Sequence, residues 1–422
     1  MTRVGAAIAF VFVAVLASSS PIPPAETWPQ FGGAGRDFRV QTSGFEPWGD
    51  SGPRTLWERE LGEGYSGIVA SGDVLYTMYR PLAWLGLTTR DEDVAVAIDA
   101  ATGQTLWEQR NPVEYLPAMS MEHGPGPHAT PLLAGGRIFT AGTLGRLQAL
   151  DPRTGKVLWT HELWKDLGGT VMERGYSCSP LAWKDTVIVS VGGRGQALMA
   201  FDQEDGSVRW KAGTFVVSPS SPVLVDVGGQ EQLVFFGGEK IVGLDPDTGK
   251  TLWSHPHATQ YKLNIALPVS GEDGLLVVSS AYSGGTRALR LTREGDTTSV
   301  EELWFTNQMR IHHGNFMLIG NHIYGSSGDF GPAPMSAVDL ATGEVVWRDR
   351  AFAKATLVLS GGRLIVLDED GVLGLATVSP DGLEVQARAE IFSGRSWTAP
   401  TLVGTRLYMR DRKQMVALDL SR

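Results

Sequence analysis

A histidine pair, His312-His313, two further histidines, His123 and His128, around a Gly-Pro-Gly-Pro turn, and a lone Cys178 between two serines are the residue types that bind metals or attack carbonyl carbons. None completes a reactive set. No carboxylate or cysteine stands at a ligand-forming spacing from the histidines, so no metal site is expected. Cys178 has no histidine at a diagnostic spacing and reads as a small buried side chain rather than a nucleophile. His255 and His257 follow a tryptophan strand and are expected on a solvated loop.

What places such residues is a repeat. The phrase AIDAATGQTLW ends at Trp107, and ALDPRTGKVLW, AFDQEDGSVRW, GLDPDTGKTLW and AVDLATGEVVW end at Trp159, Trp210, Trp253 and Trp347. A looser copy ends at Trp304 and a bare TLW at Trp57, giving steps of 43 to 52 residues. That period fits propeller blades of roughly 40–50 residues. Helical repeats of similar length are excluded by the local pattern. Short alternating runs such as RIFTAG and TVIVSV, rich in β-branched residues, precede each phrase and read as strands. Within the phrase the Asp side chain accepts backbone N–H groups of a turn and the Gly supplies a positive φ. Each tryptophan then falls on an outer strand, where its ring can pack against the next sheet.

The fold expected is all-β: an eight-bladed β-propeller of four-stranded antiparallel blades starting near Tyr65, His128, Ser177, Pro219, Ile265, His313, Lys354 and Trp397. The eighth blade stops after Ala-Leu-Asp-Leu without a tryptophan strand, whereas the Trp57 strand has no blade of its own. Pairing N- and C-terminal strands closes the ring and removes sheet edges. The seventh blade has lost both the Asp-Thr-Gly turn and the tryptophan, so seven blades is the alternative.

Residues 1–19, with a basic start, an apolar run and small residues, have the order of a secretory signal peptide. An extended segment follows at 20–52, whose Trp28 and Phe31 are expected to clamp the propeller surface, and the propeller itself spans 53–422. The insertion from Arg80 to Asp93 reads as a mobile or capping loop. A periplasmic or secreted location follows, without a lipoprotein cysteine and without a transmembrane segment once the signal is removed. A net charge of −10 with scattered basic residues disfavours nucleic acid and anionic lipid.

Asp-x-x-Thr-Gly-x-x-x-Trp on this period resembles the pyrroloquinoline quinone (PQQ) repeat family, through Asp99, Gly103 and Trp107, Asp151, Gly155 and Trp159, and their counterparts. That family includes quinoprotein alcohol dehydrogenases and a propeller of the outer-membrane β-barrel assembly machinery. The dehydrogenase branch implies PQQ with calcium held by Glu, Asn and Asp, a catalytic Asp and an adjacent cysteine pair. One cysteine cannot form that pair.

Residues directly before each innermost strand share one phase and should ring one mouth of the channel. They are Tyr65, His128, Tyr176, Asn264, His312, His313, Lys354 and Trp397, with Arg146, Arg194, Asp329 and Arg412 added by loops on the same face. Donors and aromatics converging in this way suit a polar-ligand funnel in which Trp397 offers a stacking face. The tryptophans Trp57, Trp107, Trp159, Trp210, Trp253, Trp304 and Trp347 are read as blade contacts. The leading expectation is a non-catalytic exported scaffold binding a protein, glycan or small molecule; the alternative is a PQQ-dependent dehydrogenase of alcohols or sugars.

Overall fold

The computed structural model describes residues 27–421 apart from 43, 84–87, 118, 121, 123, 125 and 332. The signal-like segment therefore lies outside the described residues, as does the middle of the Arg80–Asp93 insertion. Among the described residues the chain forms eight antiparallel four-stranded sheets, and these are the blades of a β-propeller. No described helix is long and apolar enough to cross a membrane.

Blade 1 runs through Val69–Ser71, Val74–Tyr79, Glu92–Asp99 and Thr105–Pro112. Blade 8 has Thr401–Val403, Arg406–Arg410 and Gln414–Asp419, and takes its outer strand from Arg54–Glu60. Trp57 stands opposite Ala417 in that closing pair. Eight blades, rather than seven, therefore form the ring, and the two ends of the propeller meet in one sheet.

The repeated phrase makes the contact between blades. In blade 1, Asp99 Oδ1 accepts hydrogen bonds from the Thr102 N–H and hydroxyl, both at 2.8 Å, while Gly103 takes φ +72°. The same turn recurs at Asp151, Asp245 and Asp339. Each turn receives the preceding blade's tryptophan: Trp57 Nε1 donates to the Ala100 carbonyl at 3.0 Å, Trp107 to Pro152 at 2.9 Å and Trp159 to Gln203 at 3.1 Å. Trp210 and Trp304 follow the same rule, to Pro246 and Leu340. Turn glycines lie flat on these rings, so a Cβ on Gly103 would stand 2.8 Å from Trp57 and one on Gly206 2.7 Å from Trp159. An Asp-Gly turn is thus read by the neighbouring blade as a receptor for indole.

Across its own sheet each tryptophan faces a small residue, as in Ala97↔Trp107, Ala149↔Trp159 and Gly243↔Trp253, beside a bulge that recurs in every blade. Blade 7 inverts the pair: Leu375 faces Ala387. Large and small exchange strands, so an apolar side chain still fills part of the seam in a blade without the tryptophan. Trp347 meets this blade at the Ser379 carbonyl. Blade 5 also lacks the Asp-Gly turn, and Trp253 donates instead to Gln232 Oε1 at 2.7 Å.

Candidate functional site: a funnel closed by the N-terminal segment

The segment before the propeller does not clamp its surface, as the sequence suggested; it lies inside the channel. Thr27–Trp28 adds to the inner strand of blade 1, and Arg39–Val40 adds in parallel to Ala355–Ser360 of blade 7. Between them the Pro29 carbonyl accepts the Leu133 N–H at 2.8 Å in blade 2. The Arg36 guanidinium donates to the Ser179 and Pro180 carbonyls at 2.8 and 2.9 Å in blade 3, and Arg39 to the Leu318 carbonyl in blade 6. Irregular backbone tolerates burial here because the inner strands satisfy it. Phe31 and Phe38 meet edge to face at 5.3 Å and form the floor of a cavity of about 480 Å³.

Closure of the ring brings distant residues onto the cavity wall. Tyr65 stacks on Trp397 at 5.2 Å and on His128 at 5.7 Å. His313 lies 4.2 Å from Trp397, and His312 lies 5.2 Å from His313. Tyr282 continues the series, with its hydroxyl 2.7 Å from His312 Nε2 and its ring 5.5 Å from Phe330. Lys354 Nζ donates to the Asp329 carbonyl at 3.2 Å. Six of the eight residues chosen by phase, namely Tyr65, His128, His312, His313, Lys354 and Trp397, thus line one cavity.

Tyr176 and Asn264 do not. Both are buried, Tyr176 donating to the Val191 carbonyl at 3.1 Å and Asn264 Nδ2 to the Gly237 carbonyl at 2.6 Å. Of the four loop residues, Asp329 lines the funnel and Arg412 pairs with Glu63 at 2.7 Å. Arg146 pairs with Glu162 in a separate small cleft, and Arg194 is exposed. Arg174, Tyr282, Phe330, Glu369, Arg395 and the floor phenylalanines were not marked by phase, because they come from loops of irregular length. Trp397 is already flanked by Tyr65, His313 and the Arg395 guanidinium. Open ring surface instead lies at the rim, where Phe330 is 77% and Tyr261 59% exposed.

Burial sets the protonation of this wall. It lowers His128 to about 4, with Arg174 and Arg410 adding to the effect, and raises the Tyr65 phenol to about 12. The Lys354 ammonium is also lowered by burial, against the opposing pull of Glu369. Cys178 is buried and its thiol rises to about 11, which leaves it protonated and unreactive. His257 corrects the solvated-loop expectation: it is buried, bonds Ser280 Oγ at 2.7 Å, and receives the Arg287 Nε–H at 2.9 Å. His255 sits beside it against Glu302 at 2.9 Å. The reason is local, since the strand Thr251–Pro256 carries His255, and leads His257 directly after it, into the seam with the neighbouring blade.

The residues present do not fit PQQ with calcium. Of the two carboxylates in the described wall, Asp329 bonds Arg310 through Oδ2 at 3.0 Å and keeps Oδ1 buried without a hydrogen-bond partner among the described residues, and Glu369 accepts the Trp397 indole N–H at 3.0 Å; neither is joined by further ligands for a calcium ion. Asn315 has both side-chain atoms on the Leu357 backbone. Among the described residues no group of three or more His, Cys, Asp or Glu is placed to hold a metal ion, and His123 lies outside the described residues.

A family model described as outer membrane protein assembly factor BamB matches residues 90–349. The chain belongs to this family. A BamB of Yersinia pestis is 21% identical over 362 residues, covering 85% of this chain and 76% of the relative. The crystal structure of BamB from Moraxella catarrhalis superposes with a TM-score of 0.62 at 18% identity, over 87% of this chain and 99% of that one. The propeller is shared more widely. Quinohemoprotein alcohol dehydrogenase from Comamonas testosteroni gives a TM-score of 0.61 at 13% identity, over 94% of this chain and 81% of the enzyme. At such identity the likeness is one of fold, and the BamB family membership rests on the sequence match.

Proposed function

We propose that this BamB-family chain is a non-catalytic binding scaffold of an extracytoplasmic compartment, working through the mouth of its funnel. The observation that carries the reading is the composition of the mouth: open rings of Phe330 and Tyr261 stand over a wall of cations and histidines. Open aromatic rings beside donors of mixed type suit recognition of a ligand at the mouth. Membership of a family described as outer membrane assembly factors and the signal-like residues 1–19 support both the scaffold role and the location.

A photoreactive phenylalanine analogue at position 330, compared with one at the exposed outer-strand position 158, tests this in cells producing the protein. Mass spectrometry should find an adduct, protein or small molecule, at 330 and none at 158. Equal labelling at both positions, or none at 330, would sink the scaffold reading. Dye reduction by the purified protein with PQQ, calcium and alcohols would replace it with the dehydrogenase.

A further inference from the structure

We propose that the funnel binds an organic carboxylate with an apolar body, of the medium-chain fatty-acid type; this names the ligand class of the scaffold reading above and rests on it. The cavity volume of about 480 Å³ lies within the ~300–1,000 Å³ usual for small-molecule sites. Its floor is closed by Phe31 and Phe38, and the inner edges of blades 1 and 7 are covered by Thr27–Trp28 and Arg39–Val40. An extended peptide would need an open sheet edge and a way out. A short molecule entering from the mouth needs neither.

The two sides of the cavity differ. Leu263, Ile265 and Leu267 line the side before blade 5 and run onto the floor phenylalanines. Lys354 and Arg395, before blades 7 and 8, line another part, while Arg174 precedes blade 3, across the ring from Lys354. An ammonium has three donors, and among the described residues Lys354 uses one, to the Asp329 carbonyl. Arg395 makes no hydrogen bond or ion pair among the described residues and rests over the Trp397 ring at 4.9 Å. Among the described residues Arg174 has only the loose pairing with exposed Glu173 at 4.0 Å. Asp329 and Glu369 face Lys354 too; Asp329 bonds Arg310 through Oδ2 alone, and Glu369 accepts the Trp397 indole N–H. Cations with unfilled donors beside an apolar wall complement an acid head on an apolar body.

Isothermal titration of the whole protein with decanoate, 1-decanol, acetate and PQQ reads this directly. Decanoate should bind at one site, with decanol and acetate each roughly tenfold weaker or worse, since each lacks half of the match. Lys354→Gln and Arg395→Gln should each weaken decanoate roughly tenfold and leave decanol unchanged. Arg395 is exposed, so that variant separates binding from folding even if Lys354→Gln melts early. Leu263→Ser should weaken decanoate and decanol alike. Decanol binding as tightly as decanoate, indifference of decanoate to both cation variants, or displacement of decanoate by PQQ would each overturn the proposal. If decanoate fails while the position-330 adduct persists, the ligand class is wrong and the scaffold reading stands; loss of both removes the two together.

Discussion

Asp93 is an acid held where acids are unwelcome. It is fully buried at the outset of a blade 1 strand and accepts the Thr143 N–H at 2.6 Å and the Thr143 hydroxyl at 3.1 Å, joining blade 1 to blade 2. Burial pushes its carboxyl up to about 6, and the Thr143 bonds, Arg80 and Arg146 only partly offset this. A raised folded pKa means that stability from this group is full below the unfolded value near 3.8 and is lost as pH rises through about 6. The swing is on the order of 3 kcal/mol. His128 and His257 act oppositely: lowered to about 4 and about 3, they support the fold above about 6.5 and withdraw that support as pH falls through those values. Asp93→Asn isolates the first effect. The wild-type melting temperature should gain on the variant as pH falls from 7 to 4, and a gap that stays constant would show that Asp93 does not titrate there. At this scale the sequence was only half legible. Tyr176 and Asn264 share their phase with His128 and His313, but a residue before an inner strand can turn toward the funnel or between blades, and its letter does not say which. Arg174 and Arg395 carry no periodic mark at all.

The tryptophan and the turn it reads form one device spread over two blades. Trp159 is half-buried, stacked near Phe139 and Phe201, and bonded to Gln203. Trp159→Ala should cost about 3 kcal/mol, the low end for a buried tryptophan. Gly206→Ala adds a Cβ 2.7 Å from that ring at φ +75° and should cost roughly 1–3 kcal/mol. Because the clash needs the ring, Gly206→Ala should cost less in a Trp159→Ala background, leaving only the backbone strain. Urea denaturation of the four proteins measures the coupling, and strict additivity would mean that ring and turn do not touch. Elements were the legible scale: the Asp turn, the positive-φ glycine and the tryptophan all lie within one phrase, so local chemistry marks them. The Leu375 and Ala387 exchange in blade 7 was not legible, since it is a pairing across strands and neither residue alone announces it.

Two stretches before blade 1 do different work for the whole molecule, and truncation can separate them. Removing residues through 50 takes away the channel segment. Such a protein should still unfold as one cooperative unit, at a lower temperature, and should lose decanoate binding with its floor. Removing residues through 61 also takes the closing strand and leaves blade 8 with an open edge; cooperative melting should be lost and oligomers should appear on gel filtration. Equal behaviour of the two would place ring closure elsewhere. The ring could be read from the missing eighth tryptophan, but the channel segment could not, because it is tied in by two-residue strands and side chains to carbonyls. Ring closure also has a clock. The closing strand's Arg54 and its partner Asp419 lie 365 positions apart, so at ~5–20 residues per second of synthesis one waits roughly 20–70 s for the other. The Trp57 indole, however, finds its Ala100 carbonyl only 43 positions on, roughly 2–9 s after its own emergence. The closing strand can therefore be moored by its ring to blade 1 long before its hydrogen-bonding edge is claimed. During that interval a nascent ring would present one held, unpaired edge to whatever attends the growing chain.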